Sequence, residues 1–307
     1  MTVADDALAR EFTAARPQLF GVAYRLTGSV ADAEDAVQES WLRLAGANHT
    51  DIRDLRAWLV TVVGRICLDR LRSATARRER YVGPWLPEPL VSALPGQPGE
   101  DPLDAVTRAD EVGLATLVVL DRLTPEQRVA FVLHDAFQLP FAEIADVLGC
   151  SADAARQHAS RARKAVADAE PPPRLELAEQ QVLVGRFMTA MASGDIQAVV
   201  ALLHPDVVVV GDSGGKARSA RRMVSGRDKV ARFVVGLIKQ YGGEQAWGQA
   251  RLVLVNGDLG LLLPTTVQAE GHPPLDRRVA TFTFRDGLLT ALYDVVNPDK
   301  LRHIPTD

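Results

Sequence analysis

The sequence predicts a multidomain protein in which two all-helical domains, the second a helix-turn-helix, precede an α+β domain. Three observations predict it. Residues 1–80 and 108–170 carry apolar side chains at three-to-four spacing, the signature of helices that bury one stripe. Between them, residues 81–107 have no periodicity and hold Pro84, Pro87, Pro89, Pro95, Pro98 and Pro102, which makes an extended linker. After Pro171-Pro172-Pro173 the pattern changes to helices followed by short strands split by Asn256-Gly257-Asp258 and Asp286-Gly287, and the last domain is read as residues 177–303.

The first domain begins with a helix ending near Thr27, with Pro17 expected in its first turn because proline is tolerated there. Ser29 is an N-cap, and Asp32, Glu34 and Asp35 sit on the positive end of the helix it opens. That helix stops at Gly46. Asp54 caps a long third helix whose stripe is Leu55, Leu59, Val62 and Ile66, continued by Asp69 or Arg70.

In the second domain, Thr124-Pro125-Glu126-Gln127 is a helix start. A helix over 141–148, the turn Gly149-Cys150-Ser151 and a helix over 152–168 follow. Small residues Ala155, Ala159 and Ala162, with Val166, face inward. Arg156, Gln157, Ser160, Arg161 and Lys164 face outward. The last domain is expected to hold helices near 175–193, 195–203 and 228–241, and strands near 207–210, 247–256, 259–269, 277–285 and 288–296.

Charge is distributed unevenly. The chain as a whole has a net charge of −4, which disfavours a free-standing DNA binder. From Arg56 to Arg80, however, seven arginines face only Asp69 and Glu79. The next thirty residues, to Asp110, hold Arg108 against Glu88, Glu100, Asp101, Asp104 and Asp110. A basic helix followed by an acidic linker suits a factor that borrows most of its nucleic-acid affinity from a partner. No apolar run approaches the roughly 20 residues that span a bilayer. The N-terminus has no signal pattern, so a cytoplasmic protein with no membrane contact is expected. Cys67 and Cys150 form no metal-ligand pattern and are read as reduced thiols. No metal or cofactor is implied.

The helix-turn-helix is the strongest functional signal, because such a second helix fits the major groove. Arg156 and Gln157 suit base edges, while Arg161, Arg163 and Lys164 suit phosphates. The arginine-rich helix carrying Trp58 is a weaker signal: cations track a phosphate backbone and an aromatic ring stacks on an unpaired base, but charged faces are commonly just solvated and Trp58 suits a core position equally.

Three segments, DAEDAVQESWLRL, LRAWLVTVVGRICLDRLRS and LDRLTPEQRVAFVLHDAFQLPFAEIADVLGCSADAARQHASRARK, resemble the extracytoplasmic-function sigma factors in order and spacing. The resemblance implies that the first domain binds the RNA polymerase clamp through Asp35, Gln38, Glu39 and Leu42. Arg65, Arg70, Arg72, Arg77 and Arg78 would line the −10 DNA path with Trp58. The loop 47–53 would hold a flipped base, with Asn48 at its edge. Arg156, Gln157, Ser160, Arg161 and Lys164 would read the −35 element. The partners implied are core polymerase, at its clamp and flap, and promoter DNA, with the acidic linker in the polymerase channel that RNA later uses.

The stretch Trp85-Leu86-Pro87-Glu88-Pro89 resembles one subgroup of these factors, which carries a fused domain similar to SnoaL-like polyketide cyclases, with the cone fold of nuclear transport factor 2. Asp212-Ser213-Gly214-Gly215-Lys216 resembles that subgroup's Asp-Gly-Gly-Gly-Lys motif, with Ser213 as a departure. Asn297-Pro298-Asp299-Lys300-Leu301 resembles a second subgroup motif. These segments imply an interdomain regulatory role for Trp85, Pro87, Asp212, Gly214, Gly215, Lys216, Asn297, Pro298, Asp299 and Lys300. Relatives of the cone fold use pocket acids or histidines, for which His204, Asp206, Asp212 and Asp294 are the candidates. The fold is therefore expected to be two all-α sigma domains and a SnoaL-like α+β cone, with the cone a regulator rather than an enzyme. A small-molecule ligand in the cone stays open. The rival readings are a ligand-responsive one-component repressor, which would not retain polymerase, and a cyclase- or hydrolase-like enzyme fused to helical domains.

Overall fold

A computed structural model describes residues 3–48, 52–78, 81–96, 112–241, 248–266 and 273–305. By its contacts the chain divides into two compact units. One comprises Met1–Glu79 with Thr116–Pro171, the other Arg80–Ala115 with Pro172–Asp307.

The first unit is helical. Helices α1 (Val3–Thr27), α2 (Val30–Ala45) and α3 (Leu55–Arg78) pack on one another. Pro17 does not open α1 as expected but lies inside it. An interior proline forfeits a backbone hydrogen bond at a cost of about 3 kcal/mol, and the buried stripe Ala15, Leu19, Val22, Ala23 and Leu26 offsets that loss. Ser29 caps α2 by accepting from Asp32 N. Asp54 caps α3 by accepting from Ala57 N at 3.0 Å. Helix α3 buries more than the expected stripe: Val60, Val63, Cys67, Leu68 and Leu71 are buried beside Leu59, Val62 and Ile66. Its second face is covered by the helices that follow.

Those helices are α4 (Leu114–Leu120), α5 (Pro125–Phe131), α6 (Phe141–Leu148) and α7 (Ala152–Asp168). A π-helical turn, Val132–Ala136, extends α5. Thr124 and Gln127 form a reciprocal capping box at the start of α5. Gly64 of α3 sits against Leu133 and Val147, where an added Cβ would lie 3.1 Å from the Leu133 side chain. Arg128, 1% exposed, donates to Arg25 O at 3.1 Å and pairs with Asp121 at 3.0 Å, tying α5 to α1.

The second unit is a seven-stranded sheet with helices α8 (Leu177–Ser193), α9 (Ile196–Val200) and α10 (Arg227–Gln240) packed on it. The strands are β1 (Val91–Ser92), β2 (Leu203–Asp212), β3 (Val224–Ser225), β4 (Arg251–Val255), β5 (Asp258–Leu263), β6 (Arg278–Arg285) and β7 (Leu288–Val295), in the order β1-β4-β5-β6-β7-β2-β3. The short strands expected around the two turns form an antiparallel meander, β4 to β7. Asn256 and Gly257, and Asp286 and Gly287, all take positive φ, which the two-residue hairpin turn requires. Strand β5 stops at Leu263 because Pro264 has no N–H to continue the ladder.

Two features differ from the sequence expectation. Strand β2 runs parallel to β7, so the sheet is mixed. Residues 81–96 are extended, as their prolines dictate, but they do not stand apart from the domain. Val91 and Ser92 pair with Val255 and Leu254 to form the sheet's edge strand. The core of the unit joins Val184, Phe187, Val230 and Val234 from the helices to Val207, Leu261 and Phe282 from the sheet, with the Phe187 and Phe282 rings edge to face at 5.9 Å.

Candidate nucleic-acid interface

Gly149 ends α6 in the left-handed region (φ 67°), and Ser151 opens α7 by accepting from Ala154 N at 3.2 Å. This tight capped turn fixes the angle of α7. Ala155, Ala159 and Ala162 are each fully buried, and the absence of larger side chains lets α7 lie close against α5 and α6. Val166 is only half-buried. The opposite face exposes Arg156, Gln157, Ser160, Arg161 and Lys164 together. Arg156 pairs with Asp153 and lies 5.6 Å from the centre of the Phe141 ring, while Arg163 pairs with Asp135 at 2.7 Å.

On α2, Asp35, Gln38, Glu39 and Leu42 share one face, with Leu42 65% exposed. Arg70 of α3 does not face open surface. It is half-buried among acids of α2, 3.2 Å from Asp32, 3.6 Å from Asp35 and 3.7 Å from Glu39. Arg65 donates to Asp146 O at 3.2 Å, and Arg72 pairs with Glu126 at 3.0 Å. Asp146 belongs to α6, the first helix of the helix-turn-helix, and Glu126 to α5. Trp58 is half-buried and Asn48 exposed. The side chains of Arg77 and Arg78, most of the loop after Asn48 and the acidic residues Glu100, Asp101, Asp104 and Asp110 lie outside the described residues.

Residues of the 81–87 segment and of the two C-terminal motifs converge on Asp212 within the second unit. Its carboxylate accepts from Leu86 N at 2.7 Å, from Tyr81 Oη and from Lys300 Nζ at 2.7 Å. Lys300 also donates to Leu86 O and lies 4.0 Å from the centre of the Trp85 ring. Asn297 donates to Tyr81 Oη at 2.7 Å and caps the 3-10 turn Pro298–Leu301. Lys216 pairs with Asp299. Gly214 and Gly215 take φ of 56° and 75°, and a Cβ at Gly214 would lie 2.5 Å from Asn297 Nδ2, so side chains are excluded there on two counts. Pro87 is buried beside this cluster. Burial, reinforced by the hydrogen bond to Asp212, pushes the Tyr81 phenol well above its usual range. Tyr81 was missed in the sequence because a lone tyrosine in a proline-rich stretch carries no pattern.

The cone acids separate. His204 accepts from Asp206 N at 3.2 Å at the start of β2, and Asp206 is exposed. Asp294 lies inside the cone, pairs with Arg278 at 3.2 Å, and has its carboxyl raised by burial against the pull of that arginine. Arg278 also went unnoticed, since an arginine at a strand start reads as solvated. The free thiols are Cys67, buried, and Cys150, partly exposed. Among the described residues no cluster of His, Cys, Asp and Glu is fit to hold a metal, and no helix is long and apolar enough to cross a membrane.

An arginine-bearing α3, a helix-turn-helix and an appended cone define a class: Sigma-70 region 2 matches residues 12–77, Sigma-70 region 4 matches 114–166, and the SnoaL-like domain matches 184–292. The chain is 53% identical over 301 residues to the ECF RNA polymerase sigma factor SigJ of Mycobacterium tuberculosis H37Rv, covering 96% of this chain and 93% of that one. The crystal structure of that SigJ covers 97% of this chain and 100% of its own, with a TM-score of 0.80 and 49% identity. The probable ECF sigma factor SigI of the same species is 39% identical over 205 residues, 66% of this chain and 69% of the relative. The chain belongs to the extracytoplasmic-function RNA polymerase sigma factors, and so is an alternative sigma factor with a fused SnoaL-like domain.

Proposed function

We propose that this factor reads the −35 element through Arg156, Gln157, Ser160, Arg161 and Lys164, and that Asp35, Gln38, Glu39 and Leu42 meet the polymerase clamp while α3 lies along the −10 DNA. The single observation that carries this reading is the outward face of α7, where five polar or cationic side chains stand on a helix fixed by a capped turn and an alanine seam. Arg65 and Arg72 are held by Asp146 and Glu126, so −10 binding requires those contacts to open. Both contacts are exposed, and the Arg72–Glu126 ion pair is worth about 1 kcal/mol or less, which polymerase binding exceeds. The polymerase flap is the second docking surface, for the helix-turn-helix domain, and the protein acts in the cytoplasm. Run-off transcription with core polymerase and this protein yields a promoter-specific transcript. No transcript from any promoter selected genome-wide overturns the reading.

A second part concerns the cone. It acts as a regulator rather than a catalyst, open to a small-molecule ligand, and sets sigma activity through residues 81–90. The observation that favours this is the convergence of Tyr81, Leu86, Asn297 and Lys300 on Asp212. These contacts hold the segment that follows α3 in sequence. Substitutions in Asp212–Lys216 change promoter output without unfolding the protein, and unchanged output would reduce the loop to a plain turn.

A further inference from the structure

Arg70 lies on a packed stripe of α3. Leu59, Val62 and Ile66 precede it at three-to-four spacing and are buried, so its side chain leaves the helix on the side that meets its neighbours. A long cationic side chain in such a place buries its stem and carries the head group to the edge of the seam. On α2 the residues that receive it are Asp32, Asp35 and Glu39, again three and four apart, and all three carboxylates pair with the one guanidinium. Arg70 Nη1 also donates to the Asp32 carbonyl oxygen at 3.2 Å.

Carboxylates three and four apart on one helix face repel one another. A guanidinium, with five donors in a planar fork, can hold several of them at once, which a point cation does less well. Glu39 is fixed from two sides: Oε2 faces Arg70 Nη2 at 3.7 Å, and Oε1 meets Arg43 Nη2 at 2.6 Å. Asp35 keeps its side chain 66% exposed, so it still points to solvent while its charge is partly balanced from below. Arg65 and Arg72 differ in kind. Among the described residues, Arg65 meets one backbone carbonyl and Arg72 one carboxylate, and a DNA phosphate can replace either. To meet a phosphate, Arg70 would give up three carboxylates for one anion.

We infer that Arg70 is a positioning residue for the polymerase-binding face of α2 and not a contact to −10 DNA. Two of its partners, Asp35 and Glu39, belong to the four residues read above as meeting the clamp, and Gln38 and Leu42 continue the same exposed face. Held by Arg70, these acids stand in one arrangement before the partner arrives, so less ordering remains to be done on binding. Without it, Asp32 and Asp35 repel each other uncompensated, and Glu39 keeps Arg43 alone. The inference rests on the clamp reading, and a separate variant tests that reading.

The full-length chain, fluorescently labelled, is titrated with core polymerase at several salt concentrations and followed by anisotropy. Arg70→Met weakens binding about tenfold. Arg70→Lys stays within about threefold of the wild type, because it restores the charge without the fork. The Met defect shrinks as ionic strength rises from about 0.05 M to about 0.3 M, since salt screens the repulsion among the acids. Lost packing between α2 and α3 would be neither salt-sensitive nor recovered by lysine. Once polymerase is saturated with sigma factor, wild-type and Arg70→Met holoenzymes bind a −10 fork duplex equally, within about twofold. Arg70→Gln takes the place of the Met variant should that one unfold. Unchanged polymerase affinity overturns the inference, as does a defect that salt and lysine leave untouched, or a saturated holoenzyme with weakened −10 binding. Leu42→Asp, at a position 65% exposed, probes the face itself. If it leaves polymerase affinity unchanged, the clamp reading falls and the inference with it. If it weakens binding while Arg70→Met does not, the positioning role alone falls.

Discussion

Lys300 Nζ lies 2.7 Å from Asp212 Oδ2, with the lysine side chain 7% and the aspartate side chain 0% exposed. The two residues stand 88 positions apart in segments that sequence comparison with the family had already singled out, but separately. Their pairing joins both to the segment 81–90, because Leu86 donates its N–H to the aspartate and accepts from the lysine.

Lys300→Met leaves the Asp212 carboxylate buried beside two neutral donors only. Breaking a buried pair from one side costs about 3–5 kcal/mol. The variant is expected to lower the midpoint of the C-terminal unit's unfolding in a denaturant titration. A Lys300→Met midpoint equal to that of the wild type would show that the pair is solvated in solution.

Tyr81→Phe removes one donor to Asp212 and is expected to cost about 1–2 kcal/mol. It also changes alkaline stability. The folded-state phenol titrates above its unfolded value near 10, chiefly because of burial. The folded state therefore holds its proton more tightly, and the associated stability is present below pH 10 and is lost as pH rises through the folded value. Unfolding followed from pH 8 to pH 11 (roughly the accessible range) shows a shallower alkaline decline in Tyr81→Phe than in the wild type.

Cys67 is fully buried, and burial pushes its thiol up to about 12. Its thiolate fraction at neutral pH falls about a thousandfold below that of an ordinary thiol. Iodoacetamide on the native protein is expected to label Cys150 alone, as read by peptide mass spectrometry. Labelling of both at equal rates would mean that α3 opens readily from its neighbours.

Arg156→Glu is expected to weaken −35 recognition by about 1–3 kcal/mol, measured by run-off transcription from promoters with intact and scrambled −35 elements. An equal loss on both templates would reassign Arg156 from base reading to phosphate contact.

Much of the helical unit was legible because its signals are local. Ser29, Asp54, Thr124 and Ser151 each cap the helix expected of them, since a cap is a contact between residues two or three apart. The turn at Gly149 and the exposed face of α7 follow from spacing alone. Pro17 was misplaced because its local cost is outweighed by a stripe that packs against α2 and α3. Arg65, Arg70 and Arg72 were legible as a basic helix, but their present partners were not. Those partners sit on α2, α5 and α6, and no periodicity on α3 can name them.

The sequence by itself determined the order of the domains, the helix-turn-helix with its exposed polar face and the hairpins of the sheet, since each depends on the intrinsic preferences of neighbouring residues. Only the tertiary structure decided that β2 runs parallel beside β7, that residues 81–96 are built into the cone's edge, and that Arg278 and Asp294 share one cavity floor. These are pairings across long sequence separations, fixed by which faces must be buried together. Asp212 shows both levels at once: its motif was readable, but the three donors that hold its charge came from Tyr81, Leu86 and Lys300 only when the chain closed on itself.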